Sequence, residues 1–362
     1  MSIRLAFLSI IFFSTRWMYA QPMSELYGNE WINKEQIYFK FKVGKDGLYK
    51  ISYEDLIANA FPSTFNGSQL QVWRFGKEIP LFVLNNNNWA AGDHLLFFGE
   101  KNRSELDATL FSNPSKEMLN PEYSMYSDTA VYFITLTGNA SSNKRINIKE
   151  SNGTLPVADF FMTDQLHVYK EYPIDKKYDS GNEITYSAFD ECEGFGTRPI
   201  QEHKLKLKSA DAYSGNQPGT LRIRLAGLNY NHKIRIELNG TIQKADSFFG
   251  YQMREYEIQV PNEALTEDID LLIKSYAAGN DLISVSNIHY VYPKKNGGNL
   301  LENERILSPP PSLISIAGHT LDHIGVSNGG TEWYSAVRVN TRFYVETKTV
   351  SDKIYVLNQS NS

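Results

Sequence analysis

The clearest pattern along this chain is alternation. From Gln36 to Val43 the residues Ile37, Phe39, Phe41 and Val43 fall on one side and Lys40 and Lys42 on the other. A period of two with one polar face predicts a half-buried strand. Lys45-Asp46-Gly47 is a turn signal, and Leu48 to Ile51 returns as a second strand. Ser52 then opens a short predicted helix, Tyr53 to Ala60, with Asp55 three residues on as in a capping box. Further strands are predicted at Leu70 to Phe75, Ile79 to Leu84, Leu95 to Phe98, Ala130 to Leu136 and Arg145 to Ile148. Residues 113–126 read as an irregular loop.

A second region alternates still more cleanly. Lys204 to Lys208, Leu221 to Leu225 and Lys233 to Leu238 each place apolar groups on one face, and Asn239-Gly240 is a strong hairpin turn. Tyr256 to Val260, Ile269 to Ser275 and Leu282 to Tyr292 continue the series. Three more candidates follow at Trp333 to Val339, Phe343 to Glu346 and Ile354 to Leu357. Many short strands and almost no helix predict a mainly β protein. The expected order is an N-terminal β-rich domain with one short helix over 21–155, then a jelly-roll-like β-sandwich over 156–293. A linker over 294–311, holding Pro309-Pro310-Pro311, and an incomplete β-rich C-terminal segment over 312–362 complete it. Three strands alone make a poor domain, so that segment either packs on the sandwich or belongs to something longer.

The first 20 residues change the picture of where the chain works. A basic start at Arg4, an apolar run from Leu5 to Phe13 and a small residue at Ala20 follow the order of a secretory signal peptide. The run is about half of the ~20 residues that a membrane-spanning helix needs. Cleavage near Ala20 is therefore expected, with no transmembrane segment afterwards. The whole chain carries 36 Lys+Arg against 41 Asp+Glu, a net charge of −5, and losing Arg4 and Arg16 makes it more acidic. Such a surface does not attract phosphate backbones, which argues against nucleic acid as a partner. The single cysteine, Cys192, excludes an internal disulfide. The 22 Tyr and 20 Phe fit pleated sheets and reinforce the β reading.

No set of residues reads as a catalytic site, and no P-loop, Gly-x-Ser-x-Gly or Gly-x-Gly-x-x-Gly pattern is present. Cys192 sits among Asp190, Glu191 and Glu193, whose charge raises a thiol pKa and suppresses the thiolate. The same three carboxylates form a candidate ion-binding loop for calcium, and no other cofactor is expected. His319 and His323 are four apart; on a helix they would share a face, but on an extended chain they stand about 13 Å apart, too far for one metal. Trp31, Trp73, Trp89 and Trp333 can stack on sugar rings where exposed, and Trp89 and Trp333 are the chosen candidates for glycan contact. Asp128-Thr129-Ala130 offers Thr129 as a candidate O-glycosylation site, though the same residues read as the start of a strand.

Tyr27-Gly-Asn-Glu-Trp31-Ile32, Tyr38-Phe-Lys40 and Gly47-Leu-Tyr49-Lys-Ile51-Ser-Tyr53 occur in order. Gly92-Asp93 with Phe97-Phe98-Gly99-Glu100, and Tyr123-Ser with Asp128-Thr-Ala-Val-Tyr132-Phe133, follow them. Glu193-Gly194-Phe195-Gly196 and Ile288-His-Tyr-Val-Tyr292-Pro293 complete the series. With these motifs, residues 25 to 293 resemble the N-terminal, non-catalytic region of the long PorU-like sortases of type IX secretion, relatives of the gingipain-type cysteine peptidases. In that family such regions precede a caspase-like peptidase domain with a His/Cys dyad. The enzymes sit at the outer membrane, remove the C-terminal sorting signal of secreted cargo and attach cargo to surface lipopolysaccharide. No position here matches the catalytic motif, and no catalytic residue is carried over. The resemblance implies a scaffold or partner-binding region, exported to the cell surface, outer membrane or periplasm of a Gram-negative bacterium. Its expected partners are type IX components, secreted cargo or surface polysaccharide. A secreted carbohydrate-binding or adhesion module is the rival expectation.

Overall fold

Alternating strands need a second apolar face to cover them, and here two sandwiches meet that need one after the other. The computed structural model describes residues 28–174, 177–179, 184–186, 191–228, 231–279, 281–300, 305–307, 311–315, 323–327, 332–339, 342–347, 353–356 and 360–361. The proposed signal peptide lies outside them.

In the N-terminal sandwich, one sheet runs in the order Phe39–Val43, Ala130–Leu136, Leu70–Arg74, Lys77–Ile79. The other runs Ser360–Asn361, Gly47–Ser52, His94–Gly99, Phe82–Val83. Val43, Leu70, Val72, Leu95, Phe97 and Ile134 fill the space between them. The short helix is Tyr53–Ala58, and its predicted capping box is present: Ser52 Oγ accepts from Asp55 N at 3.1 Å and Asp55 Oδ2 accepts from Ser52 N at 2.9 Å. Ser52→Ala is expected to lower stability by about 1 kcal/mol, read as a shift in the denaturant midpoint without a change in slope.

The second sandwich is an eight-stranded jelly roll. In chain order its strands are Phe160–Val168, Glu202–Lys208, Gly219–Gly227, Asn231–Leu238, Thr241–Phe249, Met253–Val260, Asp268–Ser275 and Ile283–Lys295. The first, third, sixth and eighth form one sheet; the second, fourth, fifth and seventh form the other. This exchange between sheets is the double Greek key of a jelly roll. Leu221, Ile223, Ile288 and Tyr290 face Ile234, Ile236, Leu271 and Ile273 across the core. Asn239 and Gly240 both have positive φ, +48° and +76°, as a tight two-residue hairpin requires.

The segment expected as a linker is partly sheet. The strand Ile283–Lys295 runs past Tyr292, and Arg305–Leu307 pairs directly with Phe160–Val168. From there one sheet continues through Lys353–Val356, His323–Ser327, Glu332–Val339, Arg342–Thr347 and Ser312–Ser315, eleven strands among the described residues counting Asn147–Lys149 beside Glu332–Val339. The described strands of the C-terminal segment pack on the sandwich by extending its sheet. The stretch 150–158 is likewise anchored rather than free. Glu346, itself buried, accepts hydrogen bonds from the backbone of Asn152 at 2.6 Å and Gly153 at 3.1 Å. No helix among the described residues is long and apolar enough to cross a membrane.

Candidate functional site: a keyed junction between the sandwiches

The two sandwiches meet where the loop between His94–Gly99 and Ala130–Leu136 plugs into the outer face of the jelly roll. Its base is held by charge. Arg103 pairs with Asp46 of the first hairpin turn and with Glu122 at 3.1 Å, while Arg74 reaches Glu105 at 2.9 Å and Glu100 at 3.6 Å. Burial raises the Glu100 carboxyl above its ordinary value against the lowering pull of Arg74, and burial lowers the Lys101 ammonium. Asp107, also buried, accepts from Ser124 Oγ and from Met125 N, closing the loop on itself.

The tip of the loop is Leu119-Asn120. Leu119 is 0 % exposed and sits with Ile174, Cys192, Ala226 and Met253. Its N–H donates to Glu193 O at 2.9 Å, and its carbonyl accepts from Ser286 Oγ at 2.8 Å. Cys192 N donates to Glu117 O, also at 2.9 Å. Asn120 Nδ2 donates to Tyr169 O at 3.1 Å and Phe195 O at 3.0 Å, and Arg224 Nη1 donates to Met118 O at 3.1 Å. Tyr123 meets Phe195 edge-on at 5.1 Å. The plug is therefore satisfied in both apolar and polar terms, which is what fixes two bodies in one orientation.

Gly194 explains one of the sequence motifs. Its φ is +145°, and a Cβ there would lie 2.9 Å from Asn120 N. Only glycine allows both the backbone conformation and the approach of the plug. Cys192, at φ +80° and buried, belongs to the same turn. The thiol is thus part of the socket's apolar wall.

The residues singled out in the sequence fall in different places. Asp190 lies outside the described residues. Glu191 is exposed and accepts from Met253 N at 3.2 Å, while Glu193 is buried beside the plug. Among the described residues no three His, Cys, Asp or Glu side chains converge as a metal site. His319 also lies outside the described residues, and His323 starts a strand, opposite Ser335. Thr129 precedes Ala130–Leu136, half-buried, with its Oγ1 3.3 Å from Asp128 Oδ1. Trp89 and Trp333 do not have the exposure that glycan stacking requires: they are 2 % and 3 % exposed. Trp89 is core, its Nε1 donating to Asn85 O at 2.7 Å, because the Phe65 ring and the surrounding sheet residues cover it. Trp333 stacks on Phe82 at 5.8 Å and joins the C-terminal segment to the N-terminal sandwich.

A second cluster went unread in the sequence. Asp164, fully buried, lies in the strand between Ile283–Lys295 and Arg305–Leu307. His289 Nε2 is 2.7 Å from its Oδ2, Arg305 Nε is 3.0 Å from its Oδ1, and Arg305 Nη2 also bonds it. Burial alone would raise the Asp164 carboxyl; the bonds from His289 and Arg305 outweigh it and hold the group below its ordinary value. One carboxylate thus ties the jelly roll to the C-terminal extension of its sheet.

No family model matches the chain, and no curated protein matches it in sequence. Among solved structures, that of dimeric latent PorU from Porphyromonas gingivalis superposes with a TM-score of 0.56 at 13 % identity, covering 90 % of this chain and 32 % of PorU. The CBM36-1 domain of a multidomain xylanase from the hindgut metagenome of Trinervitermes trinervoides covers 35 % of the chain at a TM-score of 0.23 and 9 % identity. A carbohydrate-binding module CBM36 in complex with calcium and xylotriose gives 0.21 at 12 % identity, again over 35 % of the chain. The last two likenesses are too slight to carry an argument. The chain spans about a third of the length of PorU and shares its fold over nine-tenths of its own.

Proposed function

We propose that this chain is the non-catalytic N-terminal portion of a PorU-like, gingipain-type surface protein linked to type IX secretion, acting as a rigid scaffold or partner-binding region. The observation that carries the reading is the PorU-like fold across nine-tenths of the chain, which includes both sandwiches. The keyed junction supports it, since a buried plug with every described backbone bond of Leu119 made suits a part that holds other parts in position. Export through the proposed signal peptide, and a place at the cell surface or outer membrane, belong to the same reading. Any hydrolase activity would belong to a peptidase domain that the scaffold supports.

The test is in the bacterium. The chain carries an affinity tag, cells are fractionated, surface protease accessibility is assayed, and crosslinked partners are identified by mass spectrometry. The expected result is an envelope-associated chain that crosslinks to a type IX component or to secreted cargo. A cytoplasmic chain would sink the proposal, as would peptide hydrolysis by the purified chain alone.

A further inference from the structure

At the end of the jelly roll where Gly219–Gly227 finishes and Asn231–Leu238 starts, a cleft of ≈ 460 Å³ is lined by Asn231, Lys233, Ser247, Phe248 and Phe249 with the Ala277-Ala278 turn. Its floor is rigid. His232 Nδ1 lies 2.7 Å from Asp281 Oδ1, both side chains are fully buried, and Asp281 Oδ2 accepts from Lys233 N and Ala277 N. The Phe248 ring is packed by the His232 ring, 4.6 Å away, and by the Arg254 guanidinium, 4.5 Å away.

The rim is different in character. Lys233 stands opposite Ser247, and Asn231 opposite Phe249, in adjacent strands. Tyr276 N donates to Lys233 O at 2.9 Å, which places the tyrosine on the other side of Lys233. Phe249 is 61 % exposed and Tyr276 41 %. Arg235 lies over the Tyr276 ring at 4.9 Å and 3.7 Å from Glu237, while Lys233 forms no ion pair among the described residues. Two exposed rings thus flank an ammonium group, with a hydroxyl and an amide beside it.

We propose that this end of the sheet binds an acidic saccharide. Phe249 and Tyr276 stack on the apolar faces of sugar rings, Lys233 pairs with a carboxylate, and Ser247 and Asn231 bond ring hydroxyls. Amphipathic rings with a few fixed polar groups suit a ligand that is apolar on its faces and polar on its edges. An acidic peptide suits it less, because peptide anchors need deep, desolvated pockets and this cleft is open. The site is independent of the scaffold reading, and either can fail without the other.

The mature chain is run in affinity gels containing polygalacturonate, alginate or hyaluronan, with highly methyl-esterified pectin as the uncharged counterpart, and the retained polymer is then titrated calorimetrically. Retardation by at least one acidic polymer is expected, weakened by salt, with little effect of the esterified one. Phe249→Ala, Tyr276→Ala and Lys233→Met should each weaken binding about tenfold while leaving the melting temperature unchanged, since all three side chains are at the rim. Retention by none of the three acidic polymers overturns the proposal. So does equal retention by the esterified pectin, or binding that survives both Phe249→Ala and Lys233→Met.

Discussion

Asp164→Ala is expected to cost about 3–5 kcal/mol, the usual penalty for removing one partner of a buried ion pair. Its two partners come from different strands, so the loss acts on the sheet twice. Arg305 would be left with its charge in a largely buried position, and His289 would lose its carboxylate. Equilibrium unfolding in guanidinium measures the effect, and the first detachment should be of the strands beyond Phe160–Val168, seen as new hydrogen exchange in Arg305–Leu307. The double variant Asp164→Leu with Arg305→Met removes both charges and should recover most of the stability, since an apolar pair of similar volume often replaces a buried ion pair at no loss. A single variant within 1 kcal/mol of the parent would mean that the cluster is solvated and does not tie the sheet.

The pH dependence has a definite sign. Asp164 has a folded-state pKa below its unfolded one. Its contribution is therefore fully present above the unfolded value, about 3.9, and is lost as the pH falls through the lower folded value. The gap in stability between the parent and Asp164→Asn should be constant above about pH 5 and should narrow below about pH 4. A gap that widens on acidification would contradict the assignment.

Leu119→Ala is expected to cost about 2–5 kcal/mol, the range for emptying a fully buried leucine site. The consequence is specific, because Leu119 is the apolar tip of the plug. Losing it should loosen the 113–125 loop from its socket and expose that loop to protease before either sandwich unfolds. Leu106→Ala, on the same loop but exposed, should change stability by no more than about 0.5 kcal/mol and leave the cleavage pattern unaltered. Gly194→Val should reproduce the Leu119 phenotype from the other side, since its Cβ would meet Asn120 N and its φ is unfavourable for valine. If Leu119→Ala keeps the loop protected, the junction is held by its hydrogen bonds alone.

Much of the sheet framework was legible because most of these strands show one face to water. Lys204, Lys206 and Lys208 alternate with Leu205 and Leu207, and the strand is there, Glu202–Lys208. The capping box at Ser52 and the Asn239-Gly240 hairpin were legible for the same reason: each is settled within a few residues. Phe160–Val168 was not legible. It is an interior strand of the extended sheet, Phe-Phe-Met-Thr-Asp-Gln-Leu-His-Val, with a charge at its centre, and no alternation marks it. The plug, expected as an irregular loop over 113–126, contains a helical turn at Pro114–Glu117 that is too short for any apolar periodicity to mark, and nothing local to it signals its role. The tryptophans were named for a surface use, but residue type alone does not decide exposure, and Phe65 and Phe82 are what cover them.

The amino-acid sequence by itself determined the β class, the individual half-buried strands, the local caps and turns, and the acidic surface. These depend on neighbours two to four residues away, so a window of the chain contains their causes. Tertiary structure alone decided which strands share a sheet, which polar residues go inside, and which loop becomes a key. Asp164 becomes tolerable in the interior only through His289 and Arg305, 125 and 141 residues further on. Leu119 becomes core only when Cys192 and Ala226 close around it. A buried charge or a buried loop tip is stable only with its partners in place, and those partners are brought together by the folding of the whole chain.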